Sequence, residues 1–302
     1  MRTIGLLALG LVVAAGCNDG APPTGGGKMS QVLLTDAPFP YDQVQAVNVY
    51  IVSIDAATTF DTTTTVDWTP LVTPDRVFNL LDVQDGRTAL LGETEVNATQ
   101  YAAIRMTIRT DLSSITLSDG TPATVNWMGP STQVIHAAVE QPLTLTTDGE
   151  PADLIIDFDV GRSFVRVVSG EFQFLPWIRA VNATTTGTVK GAVYGPSDQP
   201  GVLVPVQNGS VILYRVREDS SFVTLTLAAT GRTDADGMFK IHYVSGGGPY
   251  RIEVAPPSDL AASHGYADDI YVVPGEETSV GVTLGEATGE DGSKLVISGL
   301  RQ

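Results

Sequence analysis

Asp157 and Asp159 stand two residues apart in "LIIDFDV", residues 154 to 160. Side chains alternate along a strand, so both carboxylates leave the same face, about 7 Å apart along its length. With Asp36 brought near, these three are the candidate metal ligands of the chain. Ca²⁺ is the ion they suggest, a hard cation that takes six or more oxygen ligands. Two aspartates on one strand supply only two of them. The competing reading makes them solvated outer-face residues, or partners for Arg105, Arg162 or Arg179. A second acidic stretch, "TDADGMFKIHYV" (233 to 244), fails as a cation loop. With Asp234 and Asp236 third and fifth and Gly237 sixth, the first and twelfth places fall on Arg232 and Tyr243, which offer no carboxylate. Asp236-Gly237 is expected to be a hairpin turn instead.

Other chemistry finds little purchase. His136, His242 and His264 are far apart in sequence and none lies in H-E-x-x-H; His136 and Glu140 share only a strand spacing. There is no G-x-S-x-G elbow, no phosphate-binding loop and no cysteine nucleophile. The expectation is a protein that is not an enzyme and has no catalytic residue, with Ca²⁺ the single cofactor suggested. Trp68 and Trp127, flanked by Thr, Asp and Asn, are the candidate ligand-binding rings, since aromatic faces suit the apolar faces of sugars. Trp177, inside "FLPWI", is expected in the core.

The one cysteine, Cys17, follows a basic start (Met1-Arg2-Thr3), an apolar run from Ile4 to Val13 and the small residues Ala14-Ala15-Gly16. The run is shorter than the about 20 residues that span a bilayer, and its three parts are those of a secretory signal. "AAGC", residues 14 to 17, resembles the lipobox of bacterial lipoproteins. That resemblance implies a signal peptide over 1–16, cleavage before Cys17, and acylation (palmitate) of that cysteine as the membrane anchor. Residues 17–28, "CNDGAPPTGGGK", read as the lipidated Cys and a flexible tether whose 11 residues after Cys17 reach roughly 17 to 20 Å. Asn18 in the second mature position points, by analogy with enterobacterial sorting, to the outer membrane, facing the periplasm or the surface.

Loss of Arg2 with the signal leaves 16 basic against 34 acidic residues, a mature net charge of −18. Such a surface repels phosphate backbones, so nucleic acid is excluded as a partner. The 43% hydrophobic content indicates folded cores, and no cysteine pair remains for a disulfide.

The cores are to be built from strands. In "YAAIRMTIRT" (101 to 110), Ala102, Ile104, Met106 and Ile108 alternate with Ala103, Arg105, Thr107 and Arg109, the period of a half-buried strand. "AVNVYIVSI" (46 to 54) and "LIIDFDV" read likewise, and Asp-Gly at 119–120 and 148–149 marks turns. Only 77 to 86 and 97 to 102 allow short helices or turns. The Thr-rich stretch at 182 to 191 separates two units, with few contacts expected across it.

Residues 29–183 resemble a bacterial family known as domain of unknown function 4382, on "VLLTDAPF", "NLLDVQDG", "TQYAAIRMTI", "LIIDFDVGRSF" and "FLPWIRA". In its opening, Pro38 ends the first strand and Asp36 is expected to cap that turn. Residues 187–287 resemble the carboxypeptidase regulatory-like modules of the transthyretin-like sandwich group. That likeness rests on G-x-V-x-G (Gly187 to Gly191), a Thr-Asp-x-x-Gly turn before Phe239, Tyr-x-Ile-x-Val (Tyr250 to Val254) and a closing Pro-Gly-Glu. Residues 288–302 form a tail or accessory strand.

The expected fold is therefore all-β, two β-sandwich (Ig-like or transthyretin-like) domains behind a lipoprotein signal and tether. The expected function is a non-enzymatic lipoprotein of the bacterial cell envelope that presents these modules for binding or adhesion. Its partners would be the membrane, through the lipid, and a polysaccharide or an envelope protein. Two alternatives stand beside it: a hydrolase or metal-dependent enzyme using Asp157, Asp159 and Asp36, and a structural spacer in an envelope assembly.

Overall fold

The computed structural model describes residues 29–286 except 40, 60–65, 96–99, 140–142, 148–149 and 220–221. Cys17, the leader, the tether, Glu140, the Asp148-Gly149 turn and the tail 288–302 therefore lie outside the described residues.

The first unit contains β1 (Met29–Thr35), β2 (Val44–Ala57), β3 (Thr69–Val72), β4 (Arg76–Asn79), β5 (Ala89–Glu95), β6 (Ala103–Leu117) and β7 (Val125–Asn126). It continues with β8 (Thr132–His136), β9 (Thr146–Thr147), β10 (Glu150–Pro151), β11 (Leu154–Phe158), a one-turn helix α1 (Val160–Ser163), β12 (Phe164–Arg166), β13 (Phe172–Phe174) and β14 (Ile178–Asn182). One sheet runs β14-β11-β1-β5 and another runs β3-β2-β6-β8, with β4 also on β2. The alternation read in β2 and β6 is the reason they pair: Val47, Val49, Ile51, Ile54, Ile104, Met106 and Ile108 are all fully buried on one face. Together with Val32, Leu34, Leu154, Ile156, Phe158 and the rings of Phe164, Phe172 and Phe174 they form a single core between the sheets.

The second unit contains β15 (Thr186–Pro196), β16 (Leu203–Pro205), β17 (Ser210–Asp219), β18 (Phe222–Arg232), β19 (Met238–Ser245), β20 (Gly247–Ala255), β21 (Gly265–Val272) and β22 (Glu277–Thr283). One sheet is β16-β15-β19 with β22 alongside β15, and the other is β18-β17-β20-β21. Val189, Val193, Val211, Leu213, Tyr250, Ile252 and Val254 fill the space between them. The described residues are all-β apart from single helical turns.

Local departures from the sequence expectation have physical causes. The strand of "LIIDFDV" stops at Phe158, because Asp159 accepts a hydrogen bond from the Arg162 N–H at 2.9 Å and so caps α1. Asp36 does not cap its own turn: its carboxylate accepts from the Val160 N–H, also at 2.9 Å, and from the Gln84 amide. Asp236-Gly237 is a turn, with Gly237 at φ +72° and the Asp234 carboxylate accepting from the Asp236 and Met238 N–H groups. It is not a hairpin turn, since the strands it joins, β18 and β19, belong to different sheets.

Candidate functional site: an acidic seam between the units

Register assembles the site. β1 runs parallel to β11 with Thr35 opposite Asp157, and β14 runs antiparallel on the other side with Arg179 opposite Asp157. Asp36 follows the end of β1 and Asp159 the end of β11, so three carboxylates and one guanidinium converge where these strands finish. All four are buried: Asp36 is 4% exposed, Asp157 5%, Asp159 1% and Arg179 6%. Burial rules out the solvated outer-face reading. The cross-strand alternative is the one realised, with Arg179 Nε 2.8 Å and Nη2 2.7 Å from Asp157 Oδ2.

The second unit closes over this cluster. Arg179 Nη1 donates to the carbonyl of Tyr243 at 2.6 Å and Nη2 to that of His242 at 3.0 Å. Thr230 donates to Asp159 Oδ2 at 2.6 Å, the Tyr243 hydroxyl donates to the Gly86 carbonyl at 3.1 Å, and Arg232 donates to the Phe39 carbonyl at 3.2 Å. The His242 ring presses on Gly86, where an added Cβ would lie 2.7 Å from it. The expectation of few contacts between the units is thus corrected. A polar Thr-rich linker carries no apolar run, but these contacts come from Arg179 of β14 and from Phe39, Gly86 and Asp159 in the first unit, and from β18 and β19 in the second.

Electrostatics follow from burial. Loss of solvent pushes Asp36 well above the ordinary carboxylate range, against the Val160 and Gln84 hydrogen bonds, and the neighbouring Asp157 and Asp159 charges push the same way. Asp159 is raised to about 6, chiefly by burial. Burial also lowers His242, with Lys240 acting in the same sense. Asp157 Oδ1 finds no hydrogen-bond partner among the described residues. Beside it lies a cavity of about 20 Å³, lined by Thr35, Asp36, Asp157, Arg179, Thr230, His242 and Tyr243 among others, which is room for about one water molecule. A second cavity of about 320 Å³ also lies in the seam, between Gln100, Thr144 and Asn182 of the first unit and Arg215, Ser245 and Gly246 of the second.

As a metal centre the cluster is poorly provided. Among the described residues no group of three His, Cys, Asp or Glu is placed to hold a metal ion, and Arg179 already occupies the place next to Asp157 that a cation would take. Asp36, Asp157 and Asp159 come together as the sequence suggested, while the Ca²⁺ suggested for them meets a guanidinium in its place.

The tryptophans fall differently from expectation. Trp127 makes edge contacts with Phe164 at 5.6 Å and Phe174 at 5.1 Å and packs against the first core. Trp68 lies under the Arg105 guanidinium, 4.4 Å from its ring centre, with the His136 ring 5.5 Å away. Arg105 in turn pairs with Asp55 at 3.1 Å, not with the acidic seam. Trp177, expected in the core, is only half-buried. It stands just before β14, its N–H donating to Ser163 Oγ at 2.9 Å, and the Arg162 guanidinium covers its ring at 4.6 Å. The features sequence reasoning missed, the His242 and Tyr243 carbonyls, carry no side-chain signal; the left-handed backbone of Tyr243, φ +54°, is visible only in three dimensions.

No curated protein matches the chain. Among solved structures it is similar to the shaft pilin SpaA from Lactobacillus rhamnosus GG, at 9% identity over 86% of this chain and 98% of that one, with a TM-score of 0.24. It is also similar to GBS52, the minor pilin of Streptococcus agalactiae, at 11% identity over 89% and 99% with a TM-score of 0.25, and to a streptococcal ancillary pilin at 11% over 86% and 69% with 0.26. Scores this low say nothing about function. Residues 29–176 match the model of the family described as Domain of unknown function (DUF4382), which covers the first unit from β1 to the residue before Trp177.

Proposed function

We propose that the protein is a non-enzymatic lipoprotein of the bacterial cell envelope, anchored to the outer membrane through acylated Cys17. It presents two β-sandwich units for binding, the second of the carboxypeptidase regulatory-like kind, with polysaccharide as the ligand class and an envelope protein as the alternative partner. One observation carries the non-enzymatic reading: the carboxylates best placed for chemistry are already committed, Asp36 and Asp157 within the first unit and Asp159 to Thr230 of the second. Asp36 and Asp159 accept hydrogen bonds on both oxygens, Asp157 holds Arg179, and the space left is about 20 Å³. A substrate needs a cleft of roughly 300 Å³ or more. The anchor and the tether are supported by the sequence of residues 1–28.

The test is a glycan array probed with residues 18–302. Binding to a defined class of saccharide is expected, and binding to no glycan removes the polysaccharide reading. For the anchor, Cys17→Ser should leave an uncleaved precursor that incorporates no labelled palmitate; normal processing of that variant would refute lipidation.

A further inference from the structure

One oxygen of the seam is left without a role. Asp157 Oδ1 is buried and has no hydrogen-bond partner among the described residues, while Oδ2 of the same group takes both Arg179 contacts. A buried acceptor calls for a donor. Asp36 lines the same cavity of about 20 Å³ and becomes that donor if it carries a proton. Its two oxygens already accept from the Val160 N–H and the Gln84 amide, each at 2.9 Å. Both donors are neutral, so neither bond requires Asp36 to be ionised. A protonated carboxyl adds one O–H, which meets Asp157 Oδ1 across the cavity, directly or through the single water the space can hold. Burial raises Asp36 and the Asp157 charge raises it further, as a held proton requires.

The charged and titratable groups around the pair favour keeping that proton. From the first unit they are Arg179, Asp159 and Asp85, and from the second Lys240, His242 and Tyr243. Arg179 is engaged by Asp157 Oδ2 and by the His242 and Tyr243 carbonyls. Lys240 pairs with Glu277 at 2.6 Å, and Arg162 acts on Asp159. Burial lowers His242 and raises Tyr243, so both stay uncharged near neutral pH. Among the described residues every cation here is thus engaged elsewhere, and ionised Asp36 would share a solvent-free space with a second carboxylate. The bonds that hold Asp36 lie within the first unit and survive a movement of the second. Thr230, Lys240, His242 and Tyr243 of the second unit, by contrast, form the wall that keeps water from the pair. Withdrawing that wall is what hydrates a new charge.

We infer that the seam is a proton-operated joint: a proton shared between Asp36 and Asp157 Oδ1 holds the two units closed, and its loss lets the second unit swing away about the single helical turn Ala183–Thr185. Closing binds the proton, so the closed form dominates at acid pH and loses ground as pH rises through the raised Asp36 value. Asp159 titrates in the same sense and His242 in the opposite one. The test is small-angle scattering of residues 18–302 between pH 4.5 and 8.5, which reads the fraction of open molecules. Asp36→Asn supplies a permanent amide donor to Asp157 and keeps Asp159 and His242. Over that range the opening constant of the wild type should grow at least about tenfold more than that of Asp36→Asn, the share of one proton over one pH unit. Equal growth in the two proteins, or a wild type whose radius of gyration is constant throughout, would overturn the joint. Carboxyl ¹³C resonances of the aspartates in the wild type give a second readout that needs no variant. The Asp36 signal should titrate above the ordinary carboxylate range and together with the change in radius, and titration within the ordinary range would overturn the shared proton.

Discussion

Asp157 and Arg179 show how a residue pair can be half legible. The pairing was among the sequence alternatives because a strand aspartate near an arginine is an ordinary partner. The carbonyls that occupy the rest of the guanidinium are backbone groups on a distant strand, which no side-chain pattern marks. Removing one member of a buried ion pair leaves an uncompensated charge and costs about 3–5 kcal/mol. Arg179→Met should therefore lower the urea midpoint severely, and adding Asp157→Leu should recover only part of the loss, because the His242 and Tyr243 carbonyls remain unpaired. Asp159 makes a second prediction. Its carboxyl, raised from 3.8 to about 6 in the fold, contributes stability that is fully present below the unfolded value and is lost as pH rises through about 6. The difference is about 3 kcal/mol, and Asp36 acts in the same direction. His136 and His242, lowered by burial, act in the opposite one. The readout is accordingly wild type minus Asp159→Asn: the stability advantage of the wild type should shrink between pH 4 and 7. A constant difference would mean that Asp159 is not displaced toward its neutral form.

Among the elements, the alternating strands were the most readable, because period-two burial needs only local sequence. The G-x-V-x-G of β15 was readable as a motif and becomes intelligible as packing. An added Cβ at Gly191 would sit 2.1 Å from the Val280 carbonyl of β22 and 2.6 Å from the Phe239 ring, and at Gly187 2.5 Å from the Val273 carbonyl. Four residues apart on one strand, both glycines face the segment that crosses beside them. Gly191→Ala should destabilise by about 1–3 kcal/mol or more through forced separation of β15 and β22, measured by chemical denaturation. The parallel pairing of β1 with β11 and of β15 with β22 was not readable, since partners more than eighty residues apart in sequence leave no local trace. Trp177 sits in an apolar string, and its half-buried ring under Arg162 is visible only in three dimensions.

At the scale of the whole molecule, two separate cores share one buried polar seam. The sequence separated the units at the Thr-rich linker and expected them to behave independently. The seam argues for coupling, because Arg179 keeps Asp157 but loses the Tyr243 and His242 carbonyls whenever the second unit moves away. Cores of this kind melt as independent units unless their interface contributes enough to merge the transitions. Scanning calorimetry of residues 29–302 at pH 6 therefore bears most directly on the claim that the carboxylate cluster is a joint and not a reactive centre. The wild type should melt in one cooperative transition, and Arg179→Met should split it into two separated ones. Two transitions already present in the wild type and unmoved by Arg179→Met would show that the seam joins nothing.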